Sequence, residues 1–333
     1  MESPERRIVT LKDVAERSGV SISTVSRVLD DRTPRSRSTT AERVRRIADE
    51  LGYRRNLFAS GLRRGHTGTI GVLVPRLTDT VMALMFEALE RAARTRGYFA
   101  VVATCGDDPV SERTSTEVLL DRGVDGLVLA TARLDDELPA TLRARDIPHV
   151  LALRTDGISP SALGDDEAGG YLAIRHLLDL GHREIAIVTG PRFTSSANDR
   201  VNGALRALDE AGVARDGIPI SYAGYGIDHG FDAGQQLFAD GSPSAVFAAN
   251  DNLAIGVMRA AHQAGRIVGT DLSLVGYNDI PLAERLPVPL SSVHVPFDQI
   301  AAGALELLLA DPAQNEIRRI LPTLIPRGSS GRP

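Results

Sequence analysis

A chain of 333 residues that is 43% hydrophobic and 24% charged has the composition of an ordinary globular protein of two or three domains, and not of a disordered or fibrous one. A single cysteine, Cys105, excludes an internal disulfide and a cysteine-cluster metal site and suits a buried small side chain in a reducing compartment. The net charge of −5 conceals an uneven split, since residues 1–66 carry fifteen Lys plus Arg against nine Asp plus Glu while the remainder carries 23 against 34.

The N-terminus MESPERRIVT lacks an apolar run of signal-peptide length, and no segment approaches the ~20 apolar residues of a membrane span. A cytoplasmic protein without membrane contact is expected. The first elements read as three short helices. In VTLKDVAERSGVSISTVSRVLD (9–30), Thr10 and Asp13 have capping-box spacing, and Leu11, Val14 and Ala15 form an apolar stripe before Gly19 breaks the chain. Val25, Val28 and Leu29 make the next stripe, and at 100° per residue Ser23 and Arg27 project away from it. This is the pattern of a helix-turn-helix, in which such side chains meet bases. A third helix carries Val44, Ile47, Ala48 and Leu51 and ends at Gly52, with Thr39 and Glu42 as its expected capping box. A basic head of this kind on an acidic chain fits phosphate binding, because affinity gathers where arginines displace counterions.

Residues 53–68, YRRNLFASGLRRGHTG, read as a basic, glycine-bearing linker. From Thr69 onward apolar runs alternate with helical stretches: 69–75, 99–104, 126–130, 149–153, 184–190, 244–250 and 272–278. Over 81–96, Val81, Leu84, Met85, Ala88, Leu89 and Ala92 share one helix face. Continuous apolar strands between amphipathic helices imply parallel sheets covered on both faces, and about 260 residues of this grammar imply two doubly wound lobes. The expected fold is therefore a small all-α head on an α/β core. No P-loop, HExxH or nucleophile elbow occurs, GYGIDHG (224–230) is a degenerate glycine pattern, and the seven histidines are scattered. The expectation is a binding protein and not an enzyme, with no metal and no cofactor.

With these residues in view, the chain resembles the lactose-repressor (LacI/GalR) family of bacterial transcription regulators from about Val9 to Ser330. The resemblance is carried by TLKDVAERSGVS and STVSRVL in the head, Asn56, Ala59 and Leu62 in the linker, LGHREIAIVTGP (180–191), ANDNLAIG (249–256), SLVGYNDIP (273–281) and RGSS (327–330). It implies a DNA-binding domain at 1–55, a hinge at 56–68 and an effector-binding, dimerising core at 69–330. That core would be two-lobed like the periplasmic sugar-binding proteins, with lobe one about 69–164 and 296–320 and lobe two about 165–295 and 321–330. The implied partners are a palindromic double-stranded operator, a small effector expected to be a sugar, and a second copy of the chain.

The resemblance places sequence reading on Ile22, Ser23 and Arg27, with Thr10, Ser21, Thr24 and Ser26 around them. Arginine can contact guanine O6 and N7 together, whereas Ile22 offers only apolar contact, for instance to a thymine methyl; its other reading is packing against the first helix. Leu62 matches the leucine that wedges into the minor groove and bends the duplex, beside Asn56 and Ala59. Gly61 next to it departs from the family, and a glycine inside a helix costs ~0.5 to 1 kcal/mol, so a hinge that folds only on DNA is expected. The loop RSRST (35–39) is one residue longer than usual. Effector contacts map to Arg200, Tyr225, Asn250, Asn278 and Phe297, a polar fork with an aromatic wall that suits a sugar. The other reading of Tyr225 and Phe297 is ordinary packing, and of Arg200 a surface helix charge. Two departures weigh against a sugar: Asn278 stands where many relatives have aspartate, and TDTVM (78–82) replaces an asparagine-proline-phenylalanine-phenylalanine run, with Asp79 as the substitute. A corepressor-dependent repressor with a purine or other non-sugar effector, or an activator of the same fold, stays open. The chain has no C-terminal leucine heptad, so a C2 dimer is the expected assembly.

Overall fold

A computed structural model describes residues 9–30, 36, 38–53, 66–241, 243–310 and 316–333. It divides into two compact units, Met1–Thr67 and Gly68–Pro333.

The first unit holds α1 (Leu11–Ser18), α2 (Ile22–Val28) and α3 (Thr39–Glu50). Thr10 caps α1 with the reciprocal Asp13 bond of a capping box, and Gly19 closes it at φ 66°, a left-handed conformation that glycine adopts without strain. Ser21 caps α2 by accepting the Thr24 N–H. At α3 the expected cap shifts by one residue: Ser38, not Thr39, is the N-cap and accepts the Ala41 N–H at 3.2 Å. Either hydroxyl could cap; the helix starts at the earlier one, leaving Thr39 as its first residue. Val14, Ala15, Val25, Val44, Ile47 and Ala48 form one buried cluster that Leu11, Val28, Leu29 and Leu51 complete.

The second unit begins with β1 (Thr69–Val74), α4 (Thr80–Thr95), β2 (Phe99–Thr104), α5 (Pro109–Asp121), β3 (Gly126–Leu129), α6 (Leu138–Ala144), β4 (His149–Ala152) and β5 (Ser161–Gly164). The chain then crosses to the other lobe through α7 (Asp166–Leu180), β6 (Ile185–Thr189), α8 (Ser195–Glu210), β7 (Ile220–Tyr222), α9 (Ile227–Asp240), β8 (Ala245–Ala248), α10 (Asp251–Gln263), β9 (Ser273–Asn278) and β10 (Ser291–His294). It returns for α11 (Phe297–Leu309) and β11 (Ile317–Ile320), and crosses a last time to β12 (Thr323–Ile325). One sheet has the order β11-β5-β4-β3-β1-β2 and the other β12-β10-β9-β8-β6-β7. All pairings are parallel except β10 with β12.

These strands form because their residues are apolar on both faces, and the sheets bury them accordingly: β3, β4, β6, β8 and β9 have no exposed position. Each strand order reverses direction beside the first strand of its lobe, β1 in one and β6 in the other, so the C-terminal strand ends open a crevice there. The chain crosses three times between the lobes, and Asp165 N–H donates to Ile320 O at 2.8 Å, tying two of the crossing segments together. Cys105 is buried at 7% exposure, the small core residue expected of it; burial pushes its thiol up to about 12, which keeps it protonated and unreactive.

Candidate functional site

In the head, the packing of Val25, Val28 and Leu29 leaves the opposite side of α2 to solvent. Ser21, Ile22, Ser23 and Arg27 are exposed and Thr24 and Ser26 half-buried. Ile22 is 45% exposed and is not part of the head cluster, so packing against α1 does not account for it. The hydroxyls at the start of α2 are tied together, Ser21 Oγ lying 2.8 Å from Ser23 Oγ and 2.9 Å from Thr24 Oγ1. Thr10 is exposed, and its hydroxyl donates to Asp13 Oδ2 at 2.6 Å while accepting the Asp13 N–H. Asn56, Ala59 and Leu62 lie outside the described residues.

In the core, Asp79, Arg200, Tyr225, Asn250 and Asn278 line one cavity between the lobes, together with Val81, Met82, Leu153, Arg154 and Ser196. Phe297 is not among its lining side chains. It opens α11 as the first helical residue and, half-buried, packs on the hydrophobic core, so the expected aromatic wall of the site comes from Tyr225 alone. The space left among the lining side chains is about 40 Å³, room for a few waters at ~10 to 15 Å³ each. Contacts join the two lobes nearby. Leu134 N–H donates to Phe193 O at 2.8 Å and Thr155 N–H to Ser195 Oγ at 2.9 Å, while the Arg133 guanidinium lies 3.6 Å from the Phe193 ring centroid.

Several lining residues also hold the fold together. Asp79 caps α4 through the Val81 N–H at 3.0 Å, and burial raises its carboxyl against that bond and the nearby Arg76 and Arg154. Asn250 caps α10, accepting the Leu253 N–H at 2.7 Å and donating to Tyr225 O at 3.0 Å. It positions the Tyr225 loop as well as facing the cavity. The Tyr225 hydroxyl is pinned by Thr194 Oγ1 at 2.9 Å and Ser196 Oγ at 3.2 Å. Its ring fills the space over Gly190, where an added Cβ would stand 2.1 Å from Tyr225 Cζ. Gly190→Ala is expected to displace the ring and destabilise the core by roughly 1 to 3 kcal/mol. A thermal melt and a ligand titration of the variant read both effects; an unchanged melt would mean the ring accommodates the methyl.

Arg200 is 8% exposed and is no surface charge. Nε bonds Asp166 Oδ1 at 2.7 Å, Nη1 donates to Ala249 O at 2.5 Å, and the guanidinium stacks 3.8 Å from the Tyr277 ring centroid. Burial works against its charge, but the Asp166 carboxylate more than compensates and holds it protonated. Asp166 can reach it because α7 and α8 pack backbone to backbone: a Cβ on Gly203 would fall 1.8 Å from Glu167 O and one on Gly170 1.9 Å from Arg200 O.

Asn278 ends β9 at φ 96°, followed by Asp279 at φ 55°, and Leu153 across the cleft has φ 64°. Non-glycine residues are uncommon in this region, Asn and Asp less so than others, and they cluster at ligand sites. Asp251 braces the Asn278 turn, accepting the Ile280 N–H at 2.8 Å and the Ser292 hydroxyl at 2.7 Å. Burial pushes its carboxyl up from the usual 3.8 to about 7. A carboxyl raised on folding is protonated in the folded chain when the unfolded chain has already lost its proton, so its contribution to stability falls as pH rises between about 4 and about 7. Asp251→Asn is expected to flatten that part of the stability profile, measured by denaturant unfolding at several pH values; an unaltered slope would assign it elsewhere.

Arg154 and Ser196 were not among the residues singled out from the sequence. The signal for Arg154 is its place directly after the run HVLAL, at a C-terminal strand end facing the crevice.

Residues 10–56 match the family described as bacterial regulatory proteins, lacI family, and residues 174–330 match the periplasmic binding protein-like domain. The chain is 33% identical over 334 residues to the ribose operon repressor of Escherichia coli K12, covering 97% of this chain and 100% of that one. It is 32% identical over 310 residues to the HTH-type transcriptional repressor PurR of Vibrio atlanticus, covering 91% of each. Among solved structures, the lac repressor dimer bound to operator and the anti-inducer ONPF superposes with a TM-score of 0.88 at 28% identity, over 98% of this chain and 100% of that one. The complex of the transcriptional regulator CelR with cellobiose does so with a TM-score of 0.73 at 28% identity, over 97% and 100%. A tied helix-turn-helix with an exposed polar face, two parallel-sheet lobes and relatives matched over nearly their whole length leave one conclusion: the chain belongs to the lacI family of bacterial regulatory proteins.

Proposed function

We propose that this protein is a transcriptional repressor that binds a palindromic operator as a dimer and is controlled by a small polar effector, first of all a sugar, held between the lobes. The observation that carries the reading is the convergence of Asp79 from one lobe and Arg200, Tyr225, Asn250 and Asn278 from the other on one cavity, in a chain whose head exposes Ser23 and Arg27. Asn250 and Asn278 offer amide donors and acceptors for vicinal hydroxyls, and the Tyr225 ring offers an apolar face. Effector binding changes the angle between the lobes across the dimer, and so the separation of the two hinges and the fit of both heads to their half-sites. The hinge role of Asn56, Ala59 and Leu62 rests on the family resemblance. We read the chain as a regulator and not an enzyme, needing no cofactor. A nucleobase corepressor is the second reading, favoured by the likeness to PurR and by the amide of Asn278 where many relatives carry a carboxylate.

The test is to titrate the full chain with neutral sugars and nucleobases, following core melting and operator affinity together. A ligand that shifts both in step is expected. A ligand that stabilises the core by several degrees while operator affinity stays constant would separate the cleft from DNA control. Operator affinity is also expected to fall by about 10³-fold or more between 50 and 200 mM salt, as for proteins that neutralise several phosphates; a flat profile would remove the basic head as the contact surface.

A further inference from the structure

On the lobe-one side of the cleft stands a cation that the protein does not satisfy. Arg154 is 4% exposed and lines the cavity. Among the described residues, Nη1 is its one nitrogen with a hydrogen-bond acceptor, Thr131 O at a long 3.5 Å. The carboxylate within ion-pair reach is Asp107, whose Oδ1 lies 3.8 Å away and whose Oδ2 bonds Arg76 Nη2 at 3.0 Å, so its charge is shared between two arginines. The Tyr225 ring centroid lies 5.6 Å away, at the outer limit of a useful cation–π contact. Arg200, in the same cavity, has a dedicated carboxylate, a carbonyl and a stacked ring. Two further acids face Arg154, and neither balances it fully. Glu112 is bonded to the Thr131 hydroxyl, and burial pushes its carboxyl up to about 7, which weakens it as a counter-charge. Asp79 spends one oxygen on capping α4 and is raised by burial. A guanidinium has five donors in a fixed fork, and Arg154 spends one nitrogen on a protein acceptor among the described residues, which leaves its remaining donors for a ligand in the cavity that it lines.

We propose that Arg154 reads an oxyanion, and that the effector held in this cleft carries a carboxylate or phosphate group whose oxygens take the free nitrogens of its fork. A carboxylate or phosphate matches the spacing of the guanidinium donors two at a time, and it would supply the missing counter-charge. The proposal rests on the reading of the cleft as the effector site and narrows its ligand from a neutral sugar or nucleobase to a small polar acid.

The test melts the full chain, at constant ionic strength, in chloride, in inorganic phosphate, and with matched neutral and acidic compounds: ribose and ribose 5-phosphate, glucose with gluconate and glucuronate, and adenine. At least one oxyanion is expected to raise the melting temperature by mass action on the folded state. Arg154→Met is expected to weaken that ligand by about 30-fold or more, the usual result of deleting one partner of a buried charge pair. Arg154→Lys, which keeps the charge but not the fork, is expected to lie between the two, and it serves alone if the methionine variant does not fold. Stabilisation by the phosphate compounds but not the sugar acids, or the reverse, identifies which oxyanion is read. No oxyanion stabilising the protein overturns the proposal, and so does oxyanion stabilisation that survives in both variants, because the anion then sits elsewhere, for instance on the basic head. A neutral compound that binds wild type and both variants equally leaves the cleft as an effector site and removes Arg154 from it. If nothing in the panel binds, the reading of the cleft falls and this proposal with it.

Discussion

Replacing Arg200 by alanine is expected to cost the core about 3 to 5 kcal/mol, the usual penalty for leaving one member of a buried ion pair alone. Asp166 is 6% exposed, and without Arg200 its carboxylate keeps no cation within bonding distance among the described residues. The same substitution removes the donor to Ala249 O and the guanidinium stacked on Tyr277, so three elements lose a shared partner. In a core of this size the loss amounts to a melting temperature about 10 °C lower. Arg200→Ala therefore does not isolate the effector response from folding. Two other variants do. Asp166→Asn combined with Arg200→Met removes both charges and is expected to recover much of the stability, while Arg200→Lys keeps the charge and loses the fork. If the single alanine variant melts within about 1 °C of wild type, the pair contributes nothing to the fold and Arg200 is held for another reason.

The second large effect belongs to the head. Arg27→Ala is expected to lower affinity for the operator by about 10- to 100-fold, the loss of one bidentate base contact per half-site being worth ~1 to 3 kcal/mol, while affinity for random DNA changes far less. The core should melt as wild type, since Arg27 is exposed on α2 in the other unit. Competition binding with specific and non-specific duplexes reads the difference. Equal loss on both duplexes would make Arg27 a phosphate contact, a positioning role without base discrimination.

The strands in both lobes were legible because parallel sheets buried on both faces require continuous apolar runs, and TIGVLVP, EIAIVTG and SAVFAAN are such runs. The short strands were less so. β7 and β12 have three residues each, too few for any period. α1 was legible to the residue because Thr10 and Asp13 act within one turn. α3 shifted by one position because two adjacent hydroxyls compete to cap it. In the cleft, the positions of Arg200, Asn250 and Asn278 follow from motifs at strand ends and helix starts, but the partner of Arg200 is 34 residues away and depends on how closely Gly170 and Gly203 let two helices approach. Asn250 shows the same limit: its motif was visible, but its bond to the Tyr225 carbonyl exists only once β7 and β8 lie in one sheet. Phe297 does not line the cavity because the crossover that carries it starts a helix whose first residue packs on the core. Arg154 went unread because a lone arginine after a strand resembles any surface charge until its burial is known.

The most direct test of DNA reading under effector control is selection of duplexes bound by the full chain from a random pool, run with and without the ligand panel. Enrichment of a palindrome with two related half-sites, to a degree that a stabilising ligand changes, is the expected result. Failure to enrich any sequence under either condition, or enrichment of one without two-fold symmetry, would contradict dimeric operator reading by α2.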